Sequence, residues 1–142
     1  MEKFKFLEHI ADVFIEAYGK DVVEAFQNVA IGLGHLYVES ENVESKEEKK
    51  IEVEAEDEKA LLFDFLNNII TFHDADNLIF HEVKVESLIE RDGTFYLIAT
   101  IKGEQYDPEK HEQGTVAKAP TYHEMKIQKE QEKYTIKVLI DI

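Results

Sequence analysis

The largely apolar run from Ile10 to Tyr18 reads as a strand, and because side chains alternate along a strand, Ile10, Asp12 and Phe14 fall on one side and Ala11, Val13, Ile15 and Ala17 on the other. Gly19 closes it. Asp21 with Glu24 three residues on is a capping-box start for a helix running to Leu36, along which Val22, Phe26, Val29, Ala30, Leu33 and Tyr37 share a face. Gly32 and Gly34 weaken its last turns. Ile51 to Ala55 alternates again, and Asp57 caps a second helix reaching about Phe72, with Ala60, Leu61, Phe65, Leu66, Ile69 and Ile70 as its apolar stripe. Leu78 to Glu90 and Thr94 to Lys102 flank Arg91-Asp-Gly and read as a hairpin. A polar loop from Gly103 to Gly114 follows. Strands from about Thr115 to Gln128 and from Tyr134 to Ile140 complete the chain, separated by Lys129-Glu-Gln-Glu-Lys.

The expected order is strand, helix, strand, helix, then four strands. The late strands are joined by connections too short for parallel crossovers, so the sheet is mainly antiparallel with both helices covering it, an α+β domain. No repeat and no linker rich in Gly, Pro or Ser divides the chain, so residues 1–142 read as a single domain. The charged stretch Glu39 to Lys50 reads as a solvated loop or strand edge. With 44% apolar and 11% aromatic residues the chain can bury a core without disulfides.

Charge narrows the function classes. Against 31 acidic residues stand 16 basic ones, a formal net charge of −15, and the only arginine is Arg91. Such a surface repels phosphate and lacks the bidentate clamps of nucleic-acid readers, which disfavours direct, stable nucleic-acid binding. A cation, a basic patch on another protein, or both, suit it better. There is no cysteine, hence no thiolate metal site or cysteine nucleophile. Neither a signal-peptide core nor an apolar run of membrane-spanning length is visible, so a cytoplasmic protein is expected, with no membrane partner.

Two carboxylates stand out. Asp12 lies between Ile10 and Phe14 on one strand face, where a buried charge must find a partner. That partner could be backbone or a lysine at the rim, or it could be a cation. Asp141 lies one residue from Ile142, so its side chain and a terminal carboxylate crowd anionic oxygens together. Either the end frays into water, or the strand Tyr134 to Ile140 holds it and a cation compensates. The histidines His9, His35, His73, His81, His111 and His123 form no compact ligand spacing, so zinc is not signalled. His9, His111 and His123, beside polar residues, are the most suggestive of them. There is no GxSxG, P-loop or dinucleotide glycine pattern, and no nucleophile with a visible base, so no catalytic residue is assigned.

Whole segments carry more than single residues. Phe6-Leu-Glu-His-Ile-Ala-Asp-Val, the helix from Asp21 to Leu36, Phe65-Leu-Asn-Asn-Ile-Ile, Gly103-Glu-Gln-Tyr-Asp-Pro-Glu-Lys-His, Ala117-Lys-Ala-Pro-Thr-Tyr-His and the final Asp141-Ile142 together resemble the archease family over essentially the full chain. The chain departs from it at Phe14, where the family tends to a small residue, at Phe65, where tryptophan is common, and at Pro120, where valine is common. The resemblance implies strands in two packed sheets with two helices on one side. It also implies a protein cofactor, not an enzyme, that activates an RtcB-type GTP-dependent RNA ligase in tRNA splicing by speeding guanylylation and allowing multiple turnover. The family's divalent-cation site falls on Asp12, Asp141 and Ile142, and an oxygen-only donor set suits Ca²⁺ foremost, with Mg²⁺ or Mn²⁺ as alternatives. If that fold holds, His111, Lys118, Tyr122 and His123 come close to the metal end and, with His9, make the expected partner-binding set. Read without the resemblance, Lys118 is an ordinary strand-face lysine and the histidines are surface groups. The competing role is a chaperone or specificity factor for a tRNA methyltransferase. A free-standing metal-dependent hydrolase is a third, poorly supported because no base or nucleophile is positioned.

Overall fold

A computed structural model describes residues 2–8, 12–38 and 42–142, with residues 7 and 8 as backbone only. His9, Ile10 and Ala11 lie outside the described residues, as do Glu39, Ser40 and Glu41. The chain forms β1 (Phe4–Glu8), β2 (Asp12–Gly19), α1 (Val22–Tyr37), β3 (Glu47–Ala55), α2 (Glu58–Asp76), β4 (Leu78–Arg91), β5 (Thr94–Gln105), β6 (Ala119–Glu130) and β7 (Lys133–Asp141). The strands make two antiparallel sheets in the orders β1-β2-β7-β6 and β3-β5-β4. Helix α1 packs on β2 and β4, and α2 packs on β6 and β3, so each helix touches both sheets. This is the α+β architecture expected. None of the described helices is long and apolar enough to cross a membrane.

Local chemistry explains the boundaries. The Asp21 carboxylate accepts from the Glu24 N–H at 2.8 Å while Glu24 accepts from the Lys20 N–H at 3.0 Å, so α1 starts at a reciprocal cap. The Asp57 carboxylate caps α2 by a single bond, accepting from the Ala60 N–H at 2.8 Å. In the β4–β5 hairpin, Asp92 and Gly93 both take positive φ, 51° and 82°, as a two-residue turn matched to strand twist requires.

Several boundaries differ from the sequence reading. Strand β1 was not expected: five residues carry too short an alternation to stand out, and the strand exists because its backbone pairs with β2. Of the two readings of the charged stretch, the strand edge holds for Glu47 to Lys50, which open the edge strand β3. Their charged tips stay wet while the stem of Lys49 covers Phe72, its ammonium 5.9 Å from the ring. Helix α2 runs on to Asp76 and stops where Asn77 takes a left-handed φ of 55° and donates to the His73 carbonyl. Strand β5 extends through Gly103 to Gln105, whereas β6 begins only at Ala119. Pro120 is accommodated because β6 is an edge strand.

The core draws on both sheets and both helices, with Phe26, Phe65, Phe80, Ile15 and Leu33 fully buried. Gly34 is where α1 approaches β4. A Cβ there would come 2.8 Å from the Phe80 ring, so glycine permits contact rather than merely loosening the helix. Gly103 is tighter still: a Cβ would collide with the Ile79 carbonyl and lie 2.6 Å from the Phe80 Cα, beside the β4 bulge. Both obstacles are backbone, so Gly103→Ala should cost about 2–3 kcal/mol, read as a lower urea midpoint at unchanged slope.

Candidate metal centre and its surroundings

The β2–β7 register sets Asp12 directly opposite Asp141. Directly opposed residues point to the same face of a sheet with Cβ atoms about 4.5–5.5 Å apart. Along β2 and β7 the residues Ile15, Ala17, Ile136, Val138 and Ile140 are buried toward the helices, so the two aspartates share the outer face with Phe14 and Leu139. Asp12 is half-buried and Asp141 exposed. Ile142 follows at once and packs partly against the core, which holds its main-chain oxygens beside the pair. On the other flank the Lys118 N–H donates to the Asp141 carbonyl at 2.7 Å, fixing Lys118 next to the carboxylates.

Among the described residues no group of three or more His, Cys, Asp or Glu side chains converges on a metal position. A cation here would therefore draw on two carboxylates and main-chain oxygens. That donor set fits a hard divalent ion, and two like charges directly opposed are destabilising without one.

Beyond Lys118 the chain turns irregular. Between Thr121 and Lys126 four residues of β6 face one of β7, and Glu124 adopts a left-handed φ of 53°. Within the bulge Tyr122 turns toward the start of α2, while His123 is exposed. Tyr122 is 53% exposed and stacks on Phe63 of α2, with ring centroids 4.6 Å apart. Partial desolvation, with Asp64 and Asp57 nearby, raises its phenol above the ordinary value. His123 is exposed beside Glu124 at 3.4 Å. Of the three, Lys118 is therefore held beside the aspartate pair, whereas Tyr122 lies against α2 and His123 beside Glu124. His9 lies outside the described residues.

His111 stands apart. Its side chain is fully buried; Nδ1 accepts from the Asp107 N–H at 2.9 Å, which puts the ring proton on Nε2, facing the Asn42 carbonyl and Glu104 at 3.1 Å each. It holds a loop. The centre of that network is Glu104, which the sequence reading passed over although it lies six and seven residues before Lys110 and His111. Burial pushes its carboxyl up, but hydrogen bonds from Lys110 at 2.8 Å, from the Glu44 N–H at 2.7 Å and from His111 outweigh this and hold it at about 2. With the folded value below the ordinary 4.5, the stabilisation is present above pH 4.5 and lost as the pH falls toward 2. Thermal unfolding of Glu104→Gln against the unaltered chain should show a lower Tm at pH 7 and a gap that narrows between those two pH values.

A family model described as the Archease protein family (MTH1598/TM1083) matches residues 4–142. The chain is 43% identical over 129 residues to the protein archease of Thermococcus kodakarensis, covering 91% of this chain and 90% of that one. It is 36% identical to that of Sulfurisphaera tokodaii over the whole of both chains. Its structure is similar to the solution structure of Methanobacterium thermoautotrophicum protein 1598, with a TM-score of 0.84, 31% identity and complete coverage of both chains. The crystal structure of a Thermotoga maritima archease, described as a possible chaperone, shares the fold at a TM-score of 0.56 and 22% identity, covering 97% of this chain and 96% of that one.

Proposed function

The chain belongs to the archease family, and from that premise we propose that it is a metal-dependent accessory protein of an RtcB-type, GTP-dependent RNA ligase in tRNA splicing. It promotes guanylylation of the ligase and multiple turnover, and is an activator, not an enzyme. The observation that supports this reading is the register pairing of Asp12 with Asp141 beside Ile142.

In this reading Asp12, Asp141 and the main-chain oxygens of Ile142 hold one divalent cation, Ca²⁺ foremost. Bound there, the ion supplies positive charge and open coordination positions for phosphate oxygens at the ligase's nucleotide site. The side chains do the rest. Exposed Lys118 offers a second positive charge to a phosphate or an acidic ligase residue, and Tyr122, backed by Phe63, offers an aromatic anchor for docking. The net charge of −15 favours fast encounter with a basic ligase surface and repels RNA phosphate once substrate arrives. The expected compartment is the cytoplasm.

The test is to add the purified chain to the ligase with GTP and count guanylated ligase. Lys118→Ala should reduce stimulation several-fold at unchanged Ca²⁺ affinity, whereas Lys50→Ala, on the other sheet and paired with Glu52 at 3.0 Å, should leave both unaltered at the same salt concentration. A methyltransferase chaperone would instead suppress aggregation of that enzyme and leave guanylylation unchanged. Against that second role, the large exposed apolar side chains among the described residues, Phe6, Ile89, Val116 and Tyr122, are spread over several elements.

A further inference from the structure

The outer face of the four-stranded sheet changes sign along its length. At one end lie Asp12 and Asp141, then Phe14 and Leu139. One step further, a single row crosses all four strands as Lys5, Glu16, Lys137 and Lys126. Lys133, close by, joins the first three lysines around an open cleft of about 380 Å³, whose acidic lining among the described residues is Glu16 and Glu130. The cleft is therefore positive in a chain of net charge −15.

Charge pairing gives no reason for this. Lys126 and Lys137 are directly opposed, and like charges so placed are destabilising. Lys5 is 3.8 Å from Glu16, but Lys126, Lys133 and Lys137 make no ion pair within 4 Å among the described residues. Lys133 and Lys137 instead lie over the rings of Tyr18 and Phe14, at 4.5 and 4.3 Å. Those contacts hold two ammonium groups in place on the sheet.

We propose that this lysine cleft is a docking surface for an acidic segment of a partner protein. A nucleic acid suits it less well. Tyr18 and Phe14 are buried beneath the lysines and offer no platform for a base, and the cleft has no arginine to fork a phosphate. A short run of glutamates needs only point charges spaced along an open groove. The inference stands whether or not the partner is the ligase, because it can be tested with a peptide.

The experiment is an NMR titration of the isotopically labelled chain, at low salt, with capped hexaglutamate and separately with an oligouridylate of equal charge. Hexaglutamate should shift amides of residues 126–137 and of β1 in a saturable way, and the shifts should fall at least fivefold in Lys126→Glu/Lys133→Glu. Exposed Lys126→Gln alone, which leaves the contact over Tyr18 intact, should give an intermediate loss. Absence of shifts there, or equal shifts in the double variant, overturns the proposal. Stronger binding of the oligouridylate at the same amides overturns it in favour of nucleic acid. Self-association of the chain that the double variant abolishes overturns it in favour of a second copy as occupant.

Discussion

Asp141→Asn is expected to lower Ca²⁺ affinity by at least about 100-fold, or ~2.8 kcal/mol, while the domain stays folded. The substitution keeps the size of the side chain and removes one of the two formal charges that the β2–β7 register sets face to face. Affinity of oxygen-donor calcium sites follows ligand charge, so the loss should show directly in calorimetry. The sign of the stability effect separates this account from a structural one. In chelator the unaltered chain has two opposed carboxylates with no cation between them, so relieving that repulsion should leave the variant equally stable or up to about 1 kcal/mol more stable. A variant destabilised in chelator as much as in Ca²⁺ would mean that Asp141 serves the fold.

Phe65→Ala should produce the largest loss of stability of any change considered. Phe65 is fully buried on α2, and its ring stacks on Phe26 of α1 with centroids 6.3 Å apart, so truncation opens a cavity where the two helices meet. Phe→Ala at such a site costs about 3–5 kcal/mol, a large share of the 5–15 kcal/mol that holds a domain together. Calorimetry should record a Tm lower by about 10–20 °C. Phe65→Leu, which refills most of the volume, should recover more than half of it.

What could be read from the chain depended on how local each signal was. Both helices and their caps were readable because Asp21 with Glu24, and Asp57, act on backbone within a few residues. The β4–β5 hairpin was readable for the same reason, through Asp92 and Gly93. Strand β1 was missed, and the charged start of β3 was left open between loop and strand edge, because they become strands by pairing with β2 and β5, which lie outside any short window. Gly34 read as a weak point, yet it is a contact, because the Phe80 ring that needs the space arrives from β4. At the candidate site, Asp12 and Asp141 could each be singled out as carboxylates needing compensation. Their juxtaposition depends on β2 and β7 pairing across nearly the whole chain. His111 looked available beside its polar neighbours, and only the fold shows those neighbours closing over it around Glu104.

The central claim is that the aspartate end of the domain acts on the ligase during guanylylation. Its most direct test is the number of RNA joining events per ligase molecule, with GTP and RNA in excess, in the presence of the unaltered chain or of Asp141→Asn at equal concentration. The account predicts many more turnovers with the unaltered chain than with the ligase alone, and no more than with the ligase alone for the variant. Equal turnover with both would contradict it.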